Sequence, residues 1–125
     1  MLGGMRPLPK YAQNGLVLGL SGGQAYVESV LKKFKKAGVK LAAVHIEDWA
    51  GQQKLPEGVK PILDWELSLS HYPNWQKLKE TLSTEGTRIF ITVSPFFQRD
   101  TLSFSNALNE DCLLRDQTGE VYMFQ

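Results

Sequence analysis

The stretch Ala37-Gly38-Val39-Lys40-Leu41-Ala42-Ala43-Val44-His45-Ile46 recurs in outline as Glu85-Gly86-Thr87-Arg88-Ile89-Phe90-Ile91-Thr92-Val93-Ser94. In both, a helical pattern ends on a glycine. A β-branched residue, a base and an apolar run follow. The two glycines, Gly38 and Gly86, stand 48 residues apart. Glycine at this place stops a helix, because it takes the left-handed conformation of the C′ position without steric cost. The short apolar runs 40–46 and 88–94 then have the length and content of buried strands.

Working outward, the same unit appears before the first copy. Val27, Val30, Leu31 and Phe34 are spaced i, i+3, i+4, i+7, which is one face of a helix. Lys32, Lys33, Lys35 and Lys36 fall on the other face and read as solvated. Upstream, Gly15-Leu16-Val17-Leu18-Gly19-Leu20 is a short apolar run closed by Ser21-Gly22-Gly23, a buried strand ending in a turn. Before the second copy, Trp75, Leu78 and Leu82 predict a helix over 74–85 that stops at Gly86. A weaker third helix is expected over 102–108. Asp116-Gln117-Thr118-Gly119 reads as a turn flanked by short strands at 113–114 and 120–124. Residues 1–14 read as a lead-in, and 15–125 as one incomplete domain. Strand, helix, strand, helix, strand is the order of right-handed βαβ units in a parallel sheet. An open doubly wound sheet and part of a (β/α)8 barrel both fit. In both, ligands meet the C-terminal ends of the strands.

Composition excludes several classes. A formal net charge of +1 argues against nucleic acid or a membrane surface as a partner held by bulk charge. The single cysteine, Cys112, cannot close an intramolecular disulfide, so nothing demands an oxidising compartment. No apolar run approaches the roughly 18–20 residues of a membrane span. Residues 1–10 lack the apolar stretch of a signal peptide.

The strand ends carry the candidate chemistry. After the first strand, Ser21-Gly22-Gly23-Gln24 leads into a helix; glycines there serve either as an anion cradle or as a plain tight turn. After the second come His45-Ile46-Glu47-Asp48-Trp49-Ala50-Gly51, with two adjacent carboxylates and an indole. Alternation places Leu41, Ala43, His45 and Glu47 on one face and Ala42, Val44, Ile46 and Asp48 on the other. The first set suits a barrel interior, with Glu47 near its mouth. The blander reading makes Asp48 a turn cap and Trp49 a core residue. The loop from Gln52 to Pro73 exceeds the usual ~2–6 residues, and long loops of this kind often bind ligands. It holds Lys60, Asp64, Trp65, Glu66, His71 and Tyr72. Aromatic faces pack on sugar C–H surfaces and charged groups bind hydroxyls. The rival reading is a surface hairpin with Trp65 and Tyr72 pinned to the core. On the third strand, Thr92 and Ser94 share a face with Phe90 and fit a mouth.

These words together, Gly15 to Gly23, Ala37-Gly38-Val39-Lys40, Glu47-Asp48-Trp49-Ala50-Gly51, Trp65, His71-Tyr72-Pro73 and Ser94-Pro95-Phe96, resemble glycoside hydrolase family 31, above all its sulfoquinovosidase-like branch. The resemblance implies a TIM barrel, of which this chain covers about the first three βα units. It implies retaining hydrolysis of α-glycosides by two aspartates on later strands, with no metal or organic cofactor. No carboxylate here inherits a catalytic role. What carries over is contact with a carbohydrate substrate, an α-glycoside, through Glu47, Asp48, Trp49, Lys60 and Trp65. In that branch the position of Glu47 is a Gln or Glu that touches the sugar, and that of Lys60 an arginine that holds the sulfonate. Ser21 stands where a Gln or Lys is usual, Leu63 where a Trp is usual, and Ser94-Pro95 where Asn-Pro is frequent. Two other functions stay open. One is a stand-alone, non-catalytic module binding sugar or phosphate at Ser21–Gln24 and Glu47–Trp49. The other is a small hydrolase using two of Glu47, Asp48, Asp64 and Glu66. Half a barrel leaves strand edges and helix faces uncovered, so the isolated chain is expected to be poorly soluble or partly unfolded.

Overall fold

A computed structural model describes residues 4, 6–13 and 15–124; the first residues of the expected lead-in lie outside them. A short 3-10 turn at Lys10–Gln13 precedes strand β1, Leu16–Leu20. Helix α1, Gly23–Lys36, leads to β2, Leu41–Ile46. Then come β3, Gln52–Leu55, and β4, Gly58–Pro61. Helix α2, Trp75–Thr84, leads to β5, Arg88–Ile91, and α3, Leu102–Asn109, follows.

The main sheet is parallel with the order β1-β2-β5. Each successive strand of the sheet therefore sits beside the last, the sequential order of a partial (β/α)8 barrel. Central β2 is the most buried. Val44 and Ile46 join Leu20 of β1, Val27 of α1, and Leu78 and Leu82 of α2 in the core between sheet and helices. Glycine is required where the two long helices end. Gly38 and Gly86 have φ of 67° and 73°. Val39 N–H reaches Phe34 O at 3.0 Å and Gly38 N–H reaches Lys35 O at 3.1 Å. Thr87 N–H reaches Leu82 O at 2.8 Å and Gly86 N–H reaches Ser83 O at 3.0 Å. Both are Schellman ends, which explains why the two stretches read alike. Lys35 and Glu85 then join those two helix ends at 2.5 Å.

Two expectations are corrected, and one rival reading is met in part. Residues 92–94 do not extend β5: β2, the strand beside it, ends at Ile46, which pairs with Ile91, so no ladder partner remains. Residues 113–114 and 120–124 form no strands. A single antiparallel bridge, Arg115 to Val121, frames the expected turn at Asp116–Gly119. The long loop contains the antiparallel hairpin β3–β4, the surface hairpin of the rival reading, with Leu55 opposite Gly58 across Pro56-Glu57. Tyr72 is pinned in the core as that reading has it, whereas Trp65 is half exposed. Proline at the second and glycine at the fourth position of such a turn is a readable signal. The strands Gln52–Leu55 and Gly58–Pro61 carry too few apolar residues to announce themselves.

The 3-10 turn lies on the inner face of the sheet. Tyr11 meets Phe90 edge-on at 6.1 Å, and the Arg88 guanidinium sits 4.4 Å over the Tyr11 ring.

Candidate functional site

Glu47 and Asp48 follow β2 and diverge, as strand alternation requires. Glu47 N–H bonds Leu20 O at 3.1 Å, which carries the ladder one residue past the strand. The Glu47 side chain is 50% exposed, with Oε1 3.9 Å from His45 Nδ1. It can lie across β1 because residue 19 is glycine; a Cβ there would stand 3.3 Å from Oε1. On the same inner face His45 Nε2 pairs with Thr92 Oγ1 at 2.8 Å.

Asp48 is placed differently from the expectation that it meets the sugar. Its side chain is 0% exposed. Oδ2 accepts Gly22 N–H at 2.7 Å, Gly23 N–H at 3.0 Å and His71 Nε2–H at 2.6 Å. Oδ1 accepts the Tyr72 hydroxyl. Burial alone pushes this carboxyl up. The bonds from Tyr72, Gly22, His71 and Gly23 outweigh it and hold the group below the usual carboxylate range. An ionised carboxylate only accepts, so His71 Nε2 carries the proton. Burial first, then the Asp48 bond and charge, raise the Tyr72 phenol above its ordinary value. Of the two readings left open for Ser21–Gln24, cradle or tight turn, the Gly22 and Gly23 amides do hold an anion, and it is the chain's own carboxylate.

Trp49 is buried, and its indole N–H donates to Thr92 O at 2.9 Å. Trp65 is 50% exposed, donates to Ser94 O at 2.6 Å and meets Phe97 edge-on at 4.8 Å. The two indoles take the carbonyls that β5 leaves without ladder partners. Ser21 Oγ accepts Gln52 Nε2–H at 2.9 Å, joining the β1–α1 loop to the hairpin. Lys60 stands exposed on β4, and its side chain makes no hydrogen bond or ion pair among the described residues. The structure therefore gathers Glu47, Trp49 and Trp65 at the ends of β2 and β5, and leaves Lys60 on the hairpin. Asp64 Oδ1 accepts Trp65 N–H at 2.8 Å and Ser103 N–H at 3.3 Å, a loop role. Among the described residues no cluster of three or more His, Cys, Asp or Glu is placed to hold a metal ion.

Sequence reasoning missed His71 and Tyr72 as the partners of Asp48. They stand 23 and 24 residues from it, and no local pattern signals such pairing.

The family described as glycosyl hydrolases family 31 TIM-barrel domain matches residues 6–125. A sulfoquinovosidase of Escherichia coli (strain K12) is 24% identical over 125 residues, all of this chain and 18% of the relative. A sulfoquinovosidase of Agrobacterium fabrum (strain C58) is 29% identical over 115 residues, 90% of this chain and 17% of the relative. The solved structure of a family 31 sulfoquinovosidase from E. rectale, in complex with an aza-sugar inhibitor, has a TM-score of 0.88 at 23% identity. It covers 94% of this chain and 18% of that one. The chain thus spans under a fifth of the length of each.

Proposed function

The chain belongs to the TIM-barrel domain of glycosyl hydrolase family 31, and from that premise we propose that it forms one wall of the sugar pocket of a retaining α-glycosidase. The observation that carries this reading is the exposed Glu47 carboxylate on the inner face at the C-terminal edge of β2, the edge where barrels of this kind bind ligands. Glu47 accepts sugar hydroxyls. The exposed face of Trp65 stacks on the sugar's C–H surface. Trp49, fastened to Thr92, backs the wall, and Lys60 offers a cation from the hairpin.

The bond-breaking carboxylates are assigned to other strands of the barrel. Retaining hydrolysis needs one carboxyl group to attack and another to protonate, ~5–5.5 Å apart. Asp48 is enclosed, ionised and fully occupied, so it does neither. Glu47 then lacks a companion at these strand ends. The proposed chemistry uses carboxylates alone, without a metal or organic cofactor. A stand-alone phosphate module at Ser21–Gln24 is disfavoured, because Asp48 already takes the Gly22 and Gly23 amides.

The test uses the 15N-labelled chain at low concentration, titrated with methyl α-sulfoquinovoside and methyl α-glucoside. The first probe follows from the relatives. Either sugar is expected to shift the signals of Glu47, His45 and the Trp65 indole. Glu47→Ala weakens binding at least ~10-fold, since a hydrogen bond to a charged group is worth ~1.5–3 kcal/mol. No p-nitrophenyl α-glycoside is turned over. Turnover that disappears in Glu47→Gln would make Glu47 catalytic and overturn the assignment.

A further inference from the structure

The geometry points to Asp48 as a positioning residue, a bolt behind the sugar wall that sets where Ser21 and Glu47 stand. This rests on the proposed sugar wall, but its physical basis lies within this chain.

Helix α1 begins on Gly22 with no capping side chain of its own. Its first amides must find acceptors elsewhere. Gly22 and Gly23 find Asp48, and Gln24 N–H finds His71 O at 3.0 Å. Helix α2 also begins without a side-chain cap of its own. The N–H of its cap residue, Asn74, donates to Gln24 Oε1 at 2.7 Å. The starts of both helices therefore converge on the end of β2. Asp48 Oδ2 draws in the β1–α1 loop, and His71 and Tyr72 draw in the tail of the β2–α2 loop. The Asp48 charge also opposes the positive end of the α1 dipole.

The clamp bears on the mouth through residues one step away. Ser21 precedes the clamped Gly22 and holds Gln52 of the hairpin. Glu47 precedes Asp48 and lies against Gly19. Ser21 and Glu47 thus belong to the two segments that Asp48 fastens together. Loosening the bolt lets them move independently, without removing any group that touches sugar.

Two variants of the whole chain test this by NMR, with methyl α-glucoside and methyl α-sulfoquinovoside as the probes. Asp48→Asn keeps the shape and removes the charge. In it the Gly22 and Gly23 amide signals move, their exchange accelerates at least tenfold, and Ser21 and Glu47 signals shift with them. Sugar affinity, measured well below the melting temperature where circular dichroism matches the parent, falls at least tenfold. Asp48→Ala empties the cradle. Sodium formate then restores the glycine amide signals and at least part of the sugar affinity, whereas equimolar sodium chloride does not. Unchanged sugar affinity in folded Asp48→Asn overturns the proposal, as do glycine shifts that stop short of Ser21 and Glu47. Should Asp48→Asn fail to fold, the formate result on Asp48→Ala decides, and absence of rescue overturns it. A parent chain that binds neither sugar refutes the sugar wall. The Ser21 and Glu47 shifts would still decide whether Asp48 positions them.

Discussion

Tyr72→Phe isolates one leg of the Asp48 network. Tyr72 is 0% exposed and packs edge-on against His71 at 5.3 Å and Trp75 at 5.5 Å. Phenylalanine keeps the ring and both contacts. It loses the hydroxyl that donates to Asp48 Oδ1. A hydrogen bond to a charged group is worth ~1.5–3 kcal/mol, so the expected loss near neutral pH is ~2 kcal/mol. With a urea m-value of ~1–3 kcal/mol/M the midpoint drops by about 1 M. The loss must also depend on pH. Asp48 in the folded chain titrates below its ordinary 3.8. Its stabilisation is therefore fully present above that value and disappears as pH falls through the lower folded one. Removing the Tyr72 bond leaves burial less opposed, so the folded carboxyl titrates higher in the variant. The gap between parent and variant should be widest at pH 7 and should narrow below pH ~4. Urea titrations at pH 7 and pH 3, followed by tryptophan fluorescence at ~1 μM chain to suppress association, measure both. A deficit under ~0.5 kcal/mol at pH 7, or one that does not narrow on acidification, refutes the reasoning.

The remaining predictions are simpler. Gly38→Ala and Gly86→Ala each add a Cβ that meets nothing within 4 Å at positive φ. Each should cost ~1 kcal/mol from backbone strain alone, by equal amounts in chemical denaturation. Gly19→Ala has ordinary backbone freedom but crowds Glu47 Oε1 at 3.3 Å; it should lower sugar affinity in titrations while moving the melting temperature little. Leu16 and Val17 on β1 and Ile91 on β5 lie exposed on the two outer strands of the sheet. Self-association that rises with concentration is expected in light scattering, and a lysine at Ile91 should reduce it.

Much of the fold was legible because its signals are local. The face Val27, Val30, Leu31 and Phe34 needs only helical spacing, and the ends at Gly38 and Gly86 need only a residue that tolerates positive φ. The third helix was readable in part: Thr101 caps it by accepting Phe104 N–H at 3.2 Å. Where apolar content was low, in Gln52–Leu55 and Gly58–Pro61, the periodicity had nothing to report, and a surface hairpin stood only as the rival reading of the loop.

The candidate site divides along the same line. Alternation along β2 was enough to set Glu47 and Asp48 on opposite faces, because successive Cβ atoms on a strand point to opposite sides. The sequence by itself thus determined that a carboxylate stands at the mouth of a parallel sheet. That Asp48 is enclosed, and which groups enclose it, only the tertiary structure decided. Asp48 finds its partners 23–26 residues away, at Gly22, Gly23, His71 and Tyr72. A buried charge takes whatever donors the packed chain brings to it, and no pattern along the sequence encodes that meeting.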